Sequence, residues 1–263
     1  MRKRFLNSIL VLAVALALMS VALAQTGGQQ SAGAKTPAGS VPVRDFSGVW
    51  LTQGGPGGEG PGGDEPPMTP WAKAKYDANK PGYGPKAAPG GNDPILQCDP
   101  MGYPRVMYFL LPMEFANVNG RVVMFFEREH TYREIWTDGR KLPDDPDPSW
   151  YGTAVGKWED DYTLAVNSNG YDERTWLGAN GQPHSDEMKL TERYHRVDRD
   201  TIEFNLTIDD PKAYTKAWVV AQRVLKLRPK AEINQLFCVW SEENAFNQRI
   251  RMPAAAPKPN GQK

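Results

Sequence analysis

The sequence from residue 105 to residue 240 is a succession of short segments in which apolar and polar residues alternate, separated by turn signals. In 201–208, every second residue from Ile202 to Ile208 is apolar and the residues between them are polar. A period of two predicts half-buried strands, and closely spaced turns are typical of antiparallel all-β domains. Because strands do not alternate with helical segments, the pattern excludes Rossmann, P-loop and TIM architectures.

The predicted strands are 45–51, 105–111, 114–118, 121–127, 131–136, 151–159, 162–167, 187–197, 201–208, 214–227 and 232–240. Asn119-Gly120 between two of them is a strong signal for a type I′ hairpin turn. About ten consecutive antiparallel strands must hide their edges, and closing the sheet into a barrel does so fully. We therefore predict a single antiparallel β-barrel, with a β-sandwich as the alternative.

The N-terminus has the three parts of a secretory signal peptide. Met1 to Arg4 is cationic, Ile9 to Val21 is an almost uncharged apolar run, and Ala22-Leu23-Ala24 ends in small residues. We predict cleavage after Ala24 and export to the periplasm or the outside of the cell. The apolar run is shorter than the ~20 residues of a spanning helix, and no cysteine follows the cleavage site, so neither a membrane anchor nor a lipid anchor is predicted.

The remaining chain is predicted to hold one domain. Residues 25–44 are mostly Gly, Ala, Ser, Gln and Pro and are interpreted as a flexible linker, and 253–263 as a disordered tail. The barrel domain is placed at 45–252. Within it, 53–97 is a Gly/Pro-rich excursion that carries one short helix over 70–79, since Thr69 can cap and Pro70 suits the first helical position.

Charge and cysteine content limit the classes of partner and cofactor. The chain has 31 basic and 31 acidic residues, so no net field attracts nucleic acid or an anionic membrane surface. Export permits a disulfide between Cys98 and Cys238, which would stabilise the fold by about 4 to 5 kcal/mol in the chain-entropy estimate; two separately buried thiols are the alternative. The three histidines are far apart in sequence and no CxxC or HxxxH spacing is present, so no metal and no cofactor are predicted.

The densest run of polar and aromatic residues is 127–140. A histidine near carboxylates can act as a general acid or base at neutral pH, which makes His130, Glu127 and Asp138 candidate catalytic residues. The alternative is a solvated hairpin with paired charges, and Asp138-Gly139 is a turn signal. The candidate ligand-binding residues of this run are Arg133, Trp136 and Arg140.

The segment from Trp150 to Glu159 spaces glycines and tryptophans along a predicted strand. Glycine weakens a strand unless a large ring or a ligand must come close, so Gly152 and Gly156 are expected to accommodate aromatic neighbours or a ligand. Trp150 and Trp176 lie beside predicted loops and are candidates for stacking on a sugar or an aromatic ring.

Glu192 is the candidate that most requires a partner. Met188, Leu190, Glu192 and Tyr194 alternate onto one face, which places a carboxylate among apolar neighbours. An inward Arg or His would satisfy it structurally, whereas in a cavity burial would raise its pKa and make it a usable acid. His184 is the candidate base for such a site. No G-x-S-x-G motif surrounds the adjacent Ser185, so a catalytic triad is not predicted.

Two further candidates for ligand binding flank these segments. Arg193 follows Glu192, and Tyr214 follows the turn Asp209-Asp210-Pro211, whose carboxylates either cap the turn or lie at a barrel mouth.

Several short motifs carry a resemblance to known proteins. They are Gly48-x-Trp50, Asn92-Asp93-Pro94, Cys98-Asp99-Pro100-x-Gly102-x-Pro104-Arg105, Trp136 to Arg140, Gly152-x-x-x-Gly156-x-Trp158-Glu159, Pro183-His184-Ser185 and Glu192-Arg193. The first is similar to the opening strand of lipocalins and other calycins, where the tryptophan closes the barrel floor. The others resemble the recurring pattern of a large family of exported bacterial proteins, over nearly the whole mature domain, although Glu159-Asp160-Asp161 stands where Glu-Gly-Asp is usual. The resemblance implies a lipocalin-like barrel and transfers no substrate or catalytic residue.

Three hypotheses of function follow. The first is a calycin-like barrel whose cavity holds a small organic ligand. The second is a barrel enzyme, a hydratase, isomerase or hydrolase, in which His184 and Glu192 converge at one cavity. The third is an envelope interaction module without a cavity, with an exposed aromatic patch around Trp71, Trp150 or Trp176.

Overall fold

The computed structural model describes residues 41–55, 59–79 and 93–251. The predicted signal peptide, the predicted linker before residue 41 and the predicted tail lie outside the described residues. Within the described residues, no helix has the length and apolar character needed to cross a membrane.

The chain folds into ten strands and a few short helices. The strands are β1 (Gly48–Thr52), β2 (Met113–Val118), β3 (Arg121–Phe126), β4 (Thr131–Trp136), β5 (Thr153–Trp158), β6 (Thr163–Asn169), β7 (Lys189–Asp198), β8 (Thr201–Asp209), β9 (Trp218–Val219) and β10 (Arg223–Leu227). Strands β1 to β9 pair in chain order, and β10 pairs with both β1 and β8. This pairing closes nine strands into a barrel, with the two-residue β9 as an extension along β8, and confirms the predicted all-β barrel.

One strand pair departs from the predicted antiparallel order. β4 and β5 are parallel, and only Ile135 with Ala154 and Trp136 with Val155 face each other in their ladder. The reason is the connection 137–152, which returns the chain to the end of the barrel from which β4 started. Parallel neighbours need a long connection of this kind, whereas a two-residue hairpin suffices for antiparallel ones.

Three predicted strands are wrong or divided. Residues 105–111 begin with a 3₁₀ helix (Arg105–Tyr108) instead of a strand, because a short apolar run looks the same in a strand and in a buried helical turn. The predicted strand 214–227 is divided into β9 and β10, and 232–240 forms no strand but leads into a helix.

The predicted helix after the Gly/Pro-rich segment is confirmed as α1 (Pro70–Asn79). The Thr69 hydroxyl accepts a hydrogen bond from the Ala72 N–H (3.3 Å), so Thr69 caps the helix as expected. A second helix, α2 (Trp240–Phe246), follows the last strand and continues into a π-helical turn (Asn247–Arg251). A 3₁₀ helix (Pro94–Gln97) precedes Cys98.

Aromatic side chains fill the end of the barrel where β1 starts, called here the Trp50 end. Trp50 is fully buried and its indole N–H donates to the Phe46 carbonyl oxygen (2.8 Å). The Phe46 ring lies 4.9 Å from that of Trp158 and 6.1 Å from that of Phe115. The Arg196 guanidinium lies 5.1 Å from the Trp50 ring. The tryptophan of the Gly48-x-Trp50 motif therefore packs inside this end of the barrel.

A plug segment, Met101 to Tyr108, covers the opposite end, and all of its residues are buried. The Arg105 guanidinium is held by a buried bidentate ion pair with Asp93, at 2.7 and 2.8 Å. Gly102 has a φ of +73°, a backbone conformation that favours glycine. A Cβ at this position would also lie 2.5 Å from the Thr175 side chain, so both the backbone and the available space require glycine. The ion pair fixes the plug to the segment before it, and the close approach at Gly102 packs the plug against the connection between β6 and β7.

The predicted disulfide is confirmed. Cys98 and Cys238 are bonded with their Cα atoms 5.4 Å apart, which ties the segment before the plug to the segment before α2. The Asn234 N–H donates to the Glu127 carboxylate nearby (3.0 Å). The C-terminal segment is thus attached to the barrel by one covalent bond and by polar contacts.

Replacing both cysteines with serine is expected to lower the free energy of unfolding. The bridge joins residues 140 positions apart, for which chain entropy predicts about 5 kcal/mol and measured effects are about 2–5 kcal/mol. Urea unfolding of the C98S/C238S variant measures the loss, and the unaltered protein in excess dithiothreitol should behave like the variant. An unchanged urea midpoint would contradict the expected contribution of the bridge.

Candidate functional site

The centre of the barrel holds a buried ion pair between Glu192 of β7 and Arg133 of β4. Both side chains are fully buried. Arg133 Nη2 donates to Glu192 Oε1 (2.6 Å) and Nη1 donates to Oε2 (2.9 Å). Since β5 and β6 separate the two strands in the sheet, the pair spans the interior. An inward arginine is one of the two partners that the sequence allowed for Glu192.

Hydroxyl groups satisfy the remaining bonds of the Glu192 carboxylate. Tyr103 of the plug and Tyr194 of β7 donate to Oε2, at 2.5 and 2.9 Å. Ser168 of β6 donates to Oε1 (3.0 Å) and accepts a hydrogen bond from the Tyr171 hydroxyl (2.6 Å). This set, with Arg133, is called the central cluster. It joins three strands of the barrel to the plug.

The central cluster holds opposite charges next to neutral phenols. Burial raises the pKa of the Glu192 carboxyl, but Arg133 and the hydroxyl donors outweigh it and leave the pKa below its ordinary value. Burial lowers the pKa of Arg133, but Glu192 outweighs it and leaves the pKa above its ordinary value. Burial and the Glu192 carboxylate raise the pKa values of Tyr103 and Tyr194. At neutral pH the cluster therefore contains one carboxylate, one guanidinium and neutral tyrosines.

A groove opens in the barrel wall where β4 and β5 part. Because their ladder has two residue pairs, the first half of β4 and the approach to β5 diverge, and a surface groove of about 380 Å³ lies between them. It is called the seam groove. Its lining includes Thr131 to Glu134 and Trp136 from β4 and 149–154 from the connection and β5. Arg133 of the central cluster is part of this lining.

The seam groove brings together three of the candidate ligand-binding residues, Arg133, Trp136 and Trp150. Tyr132 joins them and is 58% exposed. Gly152 in the same lining has a φ of +66°, and a Cβ there would lie 2.5 Å from the Tyr171 ring. This close approach confirms the expectation that Gly152 accommodates an aromatic neighbour.

Arginines pack on the tryptophans of the groove. The Arg140 guanidinium lies 3.5 Å from the Trp136 ring, and that of Arg174 lies 4.3 Å from the Trp150 ring. Each arginine is also paired with a carboxylate two residues before it: Arg140 with Asp138 and Arg174 with Asp172, both at 2.6 Å. The Asp138-Gly139-Arg140 segment is thus an exposed turn whose arginine packs on the Trp136 ring.

His184 and Ser185 are buried away from Glu192. The His184 ring nitrogens lie 2.6 Å from the Thr175 hydroxyl and 3.0 Å from the Ser185 carbonyl oxygen. The Ser185 hydroxyl donates to Asp210 (2.7 Å), so this carboxylate caps a turn. Burial lowers the pKa of His184. The structure does not bring His184 and Glu192 into hydrogen-bond contact.

The other candidates of the 127–140 run lie apart from the central cluster. Residues 127–130 form a turn between β3 and β4 rather than a strand, and Glu129 and His130 both have positive φ. His130 is exposed and its ring lies 5.4 Å from the Phe237 ring. Glu127 accepts hydrogen bonds from Asn234. The structure therefore does not join His130, Glu127 and Asp138 in one site.

The remaining candidate residues are Trp176, Tyr214 and Arg193, and each packs against or pairs with other residues of the protein. Trp176 is buried, and the Tyr214 hydroxyl donates to the Pro183 carbonyl oxygen (3.0 Å) within the core. Arg193 points away from Glu192 to the outside of the barrel, where its Nε donates to Glu159 (3.0 Å). Among the described residues, no group of three or more metal-ligating side chains is placed to hold a metal ion.

The sequence did not single out four members of the central cluster as site residues: Tyr103, Ser168, Tyr171 and Tyr194. A signal existed for Ser168, because it shares the inward face of β6 with Leu164 and Val166. No comparable signal marked Tyr103, which lies in the irregular segment before the 3₁₀ helix.

A scan of the chain against models of protein families and a search of curated proteins both find no match.

Replacing Arg133 with methionine is expected to destabilise the protein by about 3–5 kcal/mol, because Glu192 loses the cation that compensates its burial. Without that cation, burial raises the pKa of Glu192. The folded variant then binds a proton that the unfolded chain releases, so its stability should fall as the pH rises from 5 to 8. Urea unfolding at several pH values measures both effects.

Arg193→Met is the matched control, since it removes an exposed arginine from a paired surface site and should cost about 1 kcal/mol or less. The double variant R133M/E192L should recover most of the loss, because an apolar pair can replace a buried ion pair. Equal losses for R133M and R193M would contradict the role assigned to the central cluster.

His184 is expected to make stability depend on pH in the opposite direction. Its pKa is lowered in the folded state by burial, while the unfolded chain binds the proton near pH 6.5. Stability should therefore fall as the pH drops below about 6.5, by up to about 1.4 kcal/mol per pH unit. The H184Q variant should lose this component in urea unfolding between pH 7 and 5. The same slope in both proteins would contradict it.

Proposed function

We propose that the protein is an exported β-barrel that binds a small organic ligand in the seam groove. The observation that carries the proposal is the meeting of Tyr132 and Trp136 of β4 with Trp150, which precedes β5, around one groove of about 380 Å³. This volume lies within the range of small-molecule sites. Tyr132 is exposed and the two tryptophans are half-buried, and aromatic rings beside polar groups are suited to stacking on a ring-shaped ligand.

Export is supported by the signal pattern in 1–24 and by the Cys98–Cys238 disulfide, since disulfides persist mainly in oxidising compartments. The motif resemblance to exported, lipocalin-like bacterial proteins agrees with both the barrel fold and the proposed export. Membership of that family is part of the proposal.

The wall of the barrel is favoured over its interior as the ligand site. Large, fully buried side chains occupy the interior, including Trp50, Phe115, Tyr194 and Phe204, together with the central cluster. A side-chain-filled interior argues against a ligand on the barrel axis. The seam groove is open to solvent, whereas the side chain of Arg133, which adjoins it, is fully buried.

The charges around the groove favour a ligand without a large net charge. Arg140, Arg174 and Arg121 are each paired with a carboxylate, and Glu134, the partner of Arg121 at 3.1 Å, lines the groove. The guanidinium and carboxylate groups of these pairs can form hydrogen bonds with the hydroxyl groups of a ligand. We infer a neutral ring that carries hydroxyl groups, such as a sugar or a hydroxylated aromatic compound.

The two other hypotheses have less support. Acid–base catalysis by His184 and Glu192 requires one shared cavity, whereas each side chain is bound to its own buried partners. An interaction surface around Trp71, Trp150 and Trp176 requires exposed rings, whereas Trp176 is only 3% exposed.

Saturation-transfer NMR with neutral sugars and hydroxylated aromatic compounds is expected to identify a compound that binds the protein. Calorimetric titration of that compound should show that Trp150→Ala and Tyr132→Ala each weaken binding by about tenfold, about 1.4 kcal/mol, through loss of stacking. Tyr132 is mostly exposed, so its replacement leaves the fold intact.

Trp71→Ala is the matched control. Trp71 is a half-buried tryptophan on α1 with the Lys75 and Lys212 ammonium groups 5.2 and 5.1 Å from its ring, and it is not part of the groove lining. Binding should be unchanged in this variant. Equal weakening in W71A and W150A, no effect of Y132A, or no binding compound in either class would each refute the proposal.

A further inference from the structure

The C-terminal segment, residues 231–251, lies along the turn 127–130 between β3 and β4. Three residues of the segment contact three residues of the turn, namely Asn234 with Glu127, Leu236 with Arg128, and Phe237 with His130. The Asn234 N–H and Nδ2 donate to the Glu127 carboxylate at 3.0 and 3.2 Å. The segment therefore holds the turn at several positions.

The turn has an uncommon backbone conformation. Glu129 and His130 have φ values of +64° and +48°, in the left-handed region that residues other than glycine rarely adopt. Such a conformation persists only where surrounding contacts impose it, and it occurs frequently in segments that change conformation. The contacts with the C-terminal segment are among those that keep the turn in this shape.

The other side of the turn holds the wall of the seam groove. The Glu129 carboxylate accepts hydrogen bonds from the Tyr151 hydroxyl (2.8 Å) and from the Met101 N–H of the plug (2.7 Å). Tyr151 lines the seam groove and stacks on Phe126, with the ring centroids 5.8 Å apart. The turn therefore connects the C-terminal segment to the groove and to the plug.

The Cys98–Cys238 disulfide anchors the C-terminal segment covalently. Both cysteines are half-buried, and Cys238 lines a surface groove of about 470 Å³, so the bridge lies at the surface. Phe237, Trp240 and Ile250 of the segment are half or more exposed. Because burial of apolar surface is the main force that attaches a segment to a protein, this segment depends on the bridge more than a strand of the barrel does.

We propose that the disulfide provides redox control of the seam groove. A dithiol reductant supplies the two electrons. One of its thiolates attacks the Cys238 sulfur and expels the Cys98 thiolate, and its second thiol then displaces Cys238 from the mixed disulfide. The two protons of the dithiol end on the two cysteines, and the dithiol itself becomes a disulfide.

Reduction acts on the groove through the turn. The released C-terminal segment no longer holds Glu127 and His130, Glu129 leaves its left-handed conformation, and Tyr151 loses its hydrogen-bond acceptor. The wall of the groove is ordered in the oxidised protein and loosened in the reduced protein. Control of ligand binding by this step rests on the proposed function, whereas the loosening of the wall does not.

Amide hydrogen exchange of the oxidised and the dithiothreitol-reduced protein, measured by mass spectrometry, tests the proposal without a ligand. The chain has two cysteines, so dithiothreitol acts at this bridge alone. Reduction should raise exchange by about tenfold or more in peptides that cover Met101, 127–130 and 151–153, because these parts unfold locally. Peptides from β7 and β8 should keep their exchange, and the C98S/C238S variant should match the reduced protein.

Three outcomes would overturn the proposal. They are a bridge that dithiothreitol leaves intact in the folded protein, unchanged exchange at 151–153 after reduction, and an equal rise in β7 and β8, which would indicate global unfolding. If no compound binds the seam groove but exchange responds as expected, the proposed function fails and the redox-controlled loosening stands.

Asn234→Ala and Asn247→Ala are matched variants that separate the route through the turn from general loosening of the segment. Both asparagines belong to the C-terminal segment, but the Asn247 Nδ2 donates to the Leu96 carbonyl oxygen (3.1 Å) rather than to the turn. In the oxidised protein, N234A should raise exchange at 151–153 by about threefold or more, whereas N247A should leave it unchanged. Equal effects of the two variants would contradict the route through the turn.

Discussion

The ion pair between Arg133 and Glu192 is the interaction on which the rest of the barrel depends. Burying either charge without the other would cost several kcal/mol of folding free energy. Strands β4 and β7 therefore present the two charges to each other across the interior. Such a pair adds little net stability over apolar residues of the same volume. Its effect is to specify one arrangement, since Ser168, Tyr194 and the plug residue Tyr103 complete the carboxylate's hydrogen bonds. Strand pairing and plug position are thereby coupled.

The positions of the central cluster and of the plug limit where the proposed ligand can bind. The central cluster and the aromatic residues around Trp50 occupy the interior, and the plug covers the end opposite Trp50. The Arg105–Asp93 pair and the disulfide fix the plug to the segment before it and to the C-terminal segment. The wall, where the exposed Tyr132 ring reaches solvent, is therefore the place proposed for a ligand.

The sequence predicted the barrel because the alternation of apolar and polar residues is a local property, visible within each strand. It predicted that Glu192 faces inward for the same reason, with either an inward Arg or His as its partner or a cavity around it. It did not predict which arginine, because Arg133 and Glu192 lie 59 positions apart and pairing across an interior depends on topology. The 3₁₀ helix at Arg105 was mistaken for a strand, since a fully buried apolar run has no periodicity to read. His184 and Glu192 were interpreted as one possible site, and the structure gives each side chain its own hydrogen-bond partners.

The parallel order of β4 and β5 accounts for the seam groove. A parallel neighbour requires a connection that returns the chain from one end of the barrel to the other, and here it is the segment 137–152. The last part of this segment carries Trp150 into the seam groove. A hairpin between these strands would have extended their ladder and closed the wall. The one departure from antiparallel order thus produces, in the wall of a filled barrel, the groove that is proposed as a ligand site.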